Sequence, residues 1–457
     1  MHGNNDAVHL IASTEERRPY KVYTERNLDS IEQFLALPED MQFDIRVVAS
    51  VLPFRVNEYV VNELIDWSCV PNDPVFRLMF PQKGMLQPGQ FDTMAKLHRN
   101  GATAEQIKEA ARKIQHSMNP HPAGQLALNR PMVDGKIVSG MQHKYRETAL
   151  YFPSQGQTCH SYCTFCFRWA QFIGDDELKM AATEASTMHA YLKQHPEVTD
   201  VLFTGGDPLV MKTRLLKEYL EPLLAPEFDH IKNIRIGSKT LTFWPYRFVS
   251  DDDAEELLAL FSKITASGKQ LAFMAHFDHY QELKTDVCKE AIKRIRATGT
   301  MIRAQAPLTR HINNDPDVWV KNWETQLSLG IVPYYFFVAR DTGAKHYFEI
   351  PLAEAYEIYR QAITRMSGLG RTVRGPSMSA GPGKVEITGI ADINGEKVFC
   401  LRFLQGRNPE WCYRPFFAKY DEKATWLDQL EPAFGEEKFF FEDEYQAMFK
   451  AADTAAA

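Results

Sequence analysis

The chain has 457 residues, 44% of them apolar and 24% charged, which is enough core material for a large folded protein and excludes a disordered, collagen-like or disulfide-scaffold chain. Lys and Arg number 52 against 59 Asp and Glu, a formal charge of −7, so composition gives no footprint for nucleic acid. No apolar run approaches the ~20 residues of a membrane helix, and the polar start around Glu15 to Arg18 is unlike a signal peptide, so a cytoplasmic protein without a membrane partner is expected.

In chain order, apolar residues at three- and four-residue spacing, as in 27–37 and 103–114, predict a helical N-terminal region over 1–140. A breaker-rich loop at Pro120, His121, Pro122 and Gly124 interrupts it. Six short strands are then predicted at 148–152, 200–204, 233–236, 270–274, 300–304 and 332–338. Amphipathic helices are predicted between and after them at 177–193, 252–264, 286–297, 316–329 and 352–366. This alternation predicts an α/β fold with a parallel sheet, open or curled into a full or partial barrel, over 141–375. Reactive groups in such folds sit in loops at the C-terminal strand ends. Over 376–457, segments 385–389 and 398–403 flank Asn394-Gly395, a pair favoured in hairpins. The tail beyond, with Trp411, Phe416, Phe417, Trp426 and Phe439 to Phe441, is too aromatic for water and should dock on the body or on a second subunit. Its Ala-rich last residues are expected to fray.

Seven cysteines are too few and too irregular for a disulfide framework. Cys69, Cys288, Cys400 and Cys412 are scattered and read as small buried hydrophobes. Cys159, Cys163 and Cys166 follow the first strand with C-x3-C-x2-C spacing. Three thiolates on a 4Fe-4S cubane leave one iron without a protein ligand, open to an external chelator with amino and carboxylate groups. A zinc site completed by His160 or a remote ligand, or three unrelated cysteines, are the alternatives at this point.

With Phe165 before its third cysteine, this loop resembles that of the radical S-adenosylmethionine (SAM) superfamily. Thr204-Gly205-Gly206-Asp207-Pro208, after the second strand, is similar to the segment that binds the methionine amino group in that superfamily, which implies SAM contacts at Gly205, Gly206 and Asp207. From 143 to 384 the order of segments resembles the lysine 2,3-aminomutase family. The matching pieces are His143-Lys144-Tyr145, Cys166-Phe167-Arg168, Ile234-Arg235-Ile236-Gly237, His276-Phe277-Asp278-His279, Arg303-Ala304-Gln305, Pro333-Tyr334-Tyr335 and Gly381-Pro382-Gly383-Lys384.

The resemblance implies a partial (β/α)6 barrel and an isomerase that moves an amino group from C2 to C3 of an amino acid, with a 4Fe-4S cluster, SAM and pyridoxal 5'-phosphate (PLP) as cofactors. It implies that Lys384 is the Schiff-base lysine, on a loop whose glycines give it mobility. Lys144 and Arg146 stand where the family binds the PLP phosphate, although two extra residues separate His143 from Cys159. Gln305 and His276 carry over as cofactor contacts, and Arg168 as the grip on the substrate α-carboxylate. A one-electron reductant such as flavodoxin or ferredoxin and a homo-oligomer are also implied.

Two features depart from the family type. Lysine-specific members present two aspartates to the distal ammonium, but alignment without gaps puts Arg340 and Ser377 there, so an acidic substrate such as glutamate or aspartate is expected. A one-residue shift would instead place Asp341 in the pocket and restore lysine. Arg371 and Arg374 are further cations nearby. The C-terminal cysteine cluster of lysine-type members is also missing, since only Cys400 and Cys412 follow Cys288. A radical SAM enzyme without PLP and a non-catalytic metal-binding protein are the competing readings.

Overall fold

A computed structural model describes residues 17–133, 136–175, 181–182 and 184–456. The N-terminal region contains helices Glu39–Ala49, Pro88–Arg99 and Ala104–His116, together with an antiparallel pair β1 (Val22–Thr24) and β2 (Arg55–Asn57). It is therefore not wholly helical as expected. The expected helix at 27–37 shrinks to short turns, Leu28–Ser30 and Glu32–Leu35. A two-stranded ladder, β3 (Met132–Val133) and β4 (Lys136–Ile137), closes the region.

The main sheet has eleven strands in chain order. β5 (Met141–Tyr145) runs antiparallel to β6 (Thr148–Tyr151) at one edge. From β6 the strands run parallel: β7 (Asp200–Phe203), β8 (Asn233–Ser238), β9 (Gln270–His276), β10 (Met301–Leu308), β11 (Val332–Val338) and β12 (Arg374–Ser379). All six predicted strands are present. β12 adds a seventh, so the expected boundary at 375/376 falls inside a strand. Its composition, Arg-Gly-Pro-Ser-Met-Ser, lacks the β-branched run that marks a strand in sequence.

Helices Asp286–Ala297, Pro316–Ser328, Leu352–Ile363 and Ala254–Ala266 join successive strands close to their predicted spans. The helix expected at 177–193 is observed as Ala185–Gln194; residues 177–180 and 183 lie outside the described residues. The intervening helices give the strands buried faces, as in β8 with every second residue buried.

Beyond β12 the sheet turns antiparallel through β13 (Gly383–Ile393), β14 (Glu396–Gly406) and β15 (Pro415–Lys419). The β13–β14 turn is Asn394-Gly395, with φ of 52° and 84°, the left-handed conformation that a two-residue hairpin requires. The aromatic tail packs on these strands in a second core containing Phe399, Phe403, Trp411, Phe416, Trp426, Phe439 and Phe441. It thus docks on the body. The last helix, Glu442–Ala456, extends through the segment expected to fray.

Candidate active site

The cysteine loop leaves the C-terminal end of β6 and is held from outside by the N-terminal region, where Tyr162 N–H donates to the Arg55 carbonyl (2.8 Å) and Thr164 N–H to that of Leu78 (2.9 Å). Cys159, Cys163 and Cys166 line one cavity together with Gly205, Gly206, Asp207, Ser238, Lys239, His276 and Gln305. The loop thus meets the ends of β7, β8, β9 and the middle of β10. Gly206 is required by close approach, since a Cβ there would lie 2.3 Å from the Thr158 carbonyl oxygen. Asp207 N–H donates to that same carbonyl at 2.7 Å.

The Asp207 carboxylate is buried and accepts from Leu209 N–H (3.0 Å), Ser238 Oγ (2.9 Å), Lys239 N–H (2.9 Å) and Thr240 Oγ1 (3.0 Å). Oδ2 takes three of these bonds and Oδ1 one, so the side chain shapes the loop at the wall of the cavity.

Burial holds the Cys159 and Cys163 thiols well above the ordinary range and pushes Cys166 up to about 11, so ligation here must displace protons. Among the described residues no three His, Cys, Asp or Glu gather tightly enough for one metal ion. Three thiols on one short loop suit a polynuclear cluster, whose own body sets them apart from one another. His160 takes no part in the cavity. It is buried beside Thr240, 3.3 Å from Nδ1 to Oγ1, and burial brings it down to about 3.

Sequence reasoning missed Lys239, two residues past the quoted Ile234-to-Gly237 segment. Its ammonium is 8% exposed and donates to Asp278 (2.8 Å), to the His276 carbonyl (3.0 Å) and to Glu282. Asp278 and Glu282 hold it charged despite its burial. Burial opposes ionisation of Asp278, but His276 and Lys239 draw it down to about 2. His276 Nε2 lies 3.1 Å from Asp278, which orients the imidazole.

Phe165, Phe167, His276 and Gln305 are shared with a second cavity, also lined by Phe337, Arg340, Thr342, Lys345, Phe348 and Ser379. The Arg168 guanidinium carbon lies 5.0 Å from the Phe167 ring centre, and that of Arg340 lies 5.1 Å from the same centre. Burial brings Arg168 down to about 9, with Arg340 adding to the effect. Burial also lowers Arg340, although the adjacent Asp341 favours its charge. Arg340 Nε has no partner, and among the described residues neither arginine forms an ion pair.

Asp341 lines a different depression, with Gly381 and Tyr445, and accepts from Asn119 Nδ2 at 3.3 Å. Arg340, not Asp341, lines the second cavity. Ser377 is fully buried with an unpartnered hydroxyl, and the hydroxyl that lines the cavity is that of Ser379, two residues on along the same face of β12. Arg371 donates to the Met366 and Thr364 carbonyls, so it serves the backbone of its own segment.

Lys384 opens β13 opposite Ser379. Its ammonium donates to Gln405 Oε1 (3.1 Å) and lies 4.2 Å from the Tyr335 ring centre. Burial, with Arg235 and Arg374 nearby, brings it down to about 7. Gly383 is needed for close approach rather than mobility, because a Cβ there would lie 2.4 Å from the Gln405 carbonyl oxygen. Lys144, on β5, is buried and donates to the Ala380 carbonyl just before this strand. Arg146 instead sits exposed on the β5–β6 turn, where its carbonyl accepts from His143 at 3.0 Å. The structure does not bring Arg146 to Lys144.

No family model matches the chain. A protein of Aquifex aeolicus provisionally assigned as an L-lysine 2,3-aminomutase is 31% identical over 402 residues, covering 88% of this chain and 94% of the relative. The chain belongs to the lysine 2,3-aminomutase family. The L-lysine 2,3-aminomutase of Escherichia coli is 29% identical over 236 residues, 51% of this chain and 64% of that protein. A glutamate 2,3-aminomutase of Clostridioides difficile is 28% identical over 213 residues, 46% of this chain and 47% of that protein. Among solved structures, a radical SAM methyltransferase from Sphaerobacter thermophilus covers 61% of this chain and 91% of its own at 12% identity, with a TM-score of 0.37, too loose to add to the assignment.

As a family member the protein is an isomerase, and the family's cofactors are a 4Fe-4S cluster, SAM and PLP. The residues fit them, with three half-buried thiols on one loop, a cavity beside them lined by Gly205 and Gly206, and a half-buried lysine brought down to about 7 at the start of β13. Among the described residues no helix is long and apolar enough to cross a membrane.

Proposed function

We propose that this radical SAM 2,3-aminomutase acts on an acidic amino acid, glutamate or aspartate, with PLP carried on Lys384. The observation that carries the substrate class is the pair Arg168 and Arg340, half-buried on either side of Phe167, Arg168 at the wall of the first cavity and Arg340 at that of the second, and neither in an ion pair among the described residues. Two guanidiniums facing one aromatic ring from adjoining cavities repel each other and are relieved by two carboxylates, whereas the distal ammonium of lysine would add a third positive charge.

In this reading Arg168 takes the α-carboxylate in a bidentate grip, and Arg340, with Lys345 on the same cavity, takes the distal one. Cys159, Cys163 and Cys166 hold the cluster. The Gly205-Gly206 backbone faces the amino and carboxylate groups of SAM. Bound together, cluster and SAM supply a carbon radical, and PLP supplies the conjugated system through which nitrogen passes between neighbouring carbons. The chain positions and shields. Phe165, Phe167, His276 and Gln305, common to both cavities, set the passage between them and exclude water.

The test is anaerobic reconstitution with iron, sulfide, SAM and PLP, followed by a screen of the twenty amino acids for β-isomers. Conversion of glutamate or aspartate is expected. Preferential conversion of lysine would overturn the substrate class.

A further inference from the structure

We infer that Arg407, in the C-terminal extension, supplies the second cation of the PLP phosphate site, the place expected of Arg146. The inference rests on the proposed PLP reading and concerns which residues hold that group. Lys144 and Arg407 are neighbours by geometry, since Lys144 Nζ donates to the carbonyl of Ala380 and Arg407 Nε to that of the next residue, Gly381, at 2.9 Å. Arg407 N–H also donates to the Pro382 carbonyl at 3.0 Å. Three consecutive carbonyls leading into Lys384 thus end on these two residues.

The charge count points the same way. Lys144 lies near Arg407, Arg340 and Lys384, and among the described residues neither Lys144 nor Arg407 forms an ion pair. A phosphate, carrying nearly two negative charges at neutral pH, suits the pair Lys144 and Arg407. Burial, Arg407 and Arg340 depress Lys144 well below its ordinary value, a cost that a bound dianion reverses.

The fork of Arg407 is held in place by its own chain. Nη1 donates to the Leu128 carbonyl (3.3 Å), Nη2 to Asn129 Oδ1 (2.5 Å), and Tyr445 of the last helix shares a further bond. Of five N–H donors at least one is left, and the charge is fixed in place. Arg146, exposed on its turn, has no such support.

The experiment titrates the full-length, cluster-reconstituted protein with PLP and, separately, with pyridoxal, which lacks the phosphate, following the imine absorbance at Lys384. Arg407→Ala should weaken PLP about 10- to 100-fold, as expected for loss of a charge-assisted contact, and leave pyridoxal little changed. Arg407→Lys should recover most of the loss, and Arg146→Ala should bind PLP like the wild type. Equal weakening of PLP and pyridoxal by Arg407→Ala would show a merely structural residue and overturn the inference, as would weaker PLP binding by Arg146→Ala. A wild-type protein that forms no imine band with PLP would instead overturn the PLP reading underneath.

Discussion

Replacing Arg340 by Gln tests the substrate reading at the residue where this chain departs from a lysine-specific pocket. Arg340 is half-buried at the cavity wall with an unpartnered Nε, and Phe167 is the ring it shares with Arg168. With substrate bound, the distal carboxylate and Arg340 form a buried pair. Removing one partner of such a pair strands the other at a cost of about 3–5 kcal/mol, so kcat/KM for the acidic substrate should fall by roughly two to three and a half orders of magnitude. Arg340→Lys keeps the charge but loses the planar fork, and should fall between the two. Arg340→Asp should abolish use of the acidic substrate. The assay is anaerobic turnover with separation of α- and β-isomers, alongside 5'-deoxyadenosine release as a check that the radical chemistry survives. If Arg340→Gln left kcat/KM for glutamate and aspartate within about threefold of wild type, less than 1 kcal/mol, Arg340 would not touch the substrate.

Lys384→Ala should abolish both turnover and the PLP imine band while iron content stays unchanged, as read by absorbance and iron analysis. Because Lys384 is lowered to about 7, its free amine prevails above that pH, so the rate of imine formation with PLP should rise through pH 7 and level off beyond it; a rise only near pH 10 would contradict the buried placement. Lys239→Met removes the ammonium between Asp278 and Glu282 and should destabilise the protein by about 3–5 kcal/mol in denaturant unfolding, because two buried carboxylates are left facing each other. Gly206→Ala drives a methyl into the Thr158 backbone and should lower the thermal midpoint, at a cost of about 1–3 kcal/mol, together with cluster occupancy.

Much of the fold was legible because the parallel strands are short apolar runs set between amphipathic helices, the pattern that periodicity reads well. β12 was not, since Arg374-Gly-Pro-Ser carries neither alternation nor β-branched residues, and its pairing to β11 is set by tertiary contact. The cysteine loop and Lys384 stood out through spacing and segment order. Lys239 had a signal in its position at the end of β8, just beyond the segment that was read. Arg407 and Gln405 had none in local sequence. Gln405 reaches Lys384, and Arg407 the Gly381 and Pro382 carbonyls before it, only because β13 and β14 pair with Lys384 opposite Gln405, a register that sets residues 21 apart side by side. Arg146 differs from Lys144 because it lies past the end of β5, on the two-residue turn before β6, where it is exposed.

In this account Cys159, Cys163 and Cys166 hold a 4Fe-4S cluster whose open iron binds SAM. Anaerobic reconstitution followed by electron paramagnetic resonance of the reduced protein, with and without SAM, tests it most directly. A 4Fe-4S signal that shifts when SAM is added, and is lost in Cys163→Ala, is the predicted result. A protein that takes up no iron, or a cluster signal indifferent to SAM, would contradict it.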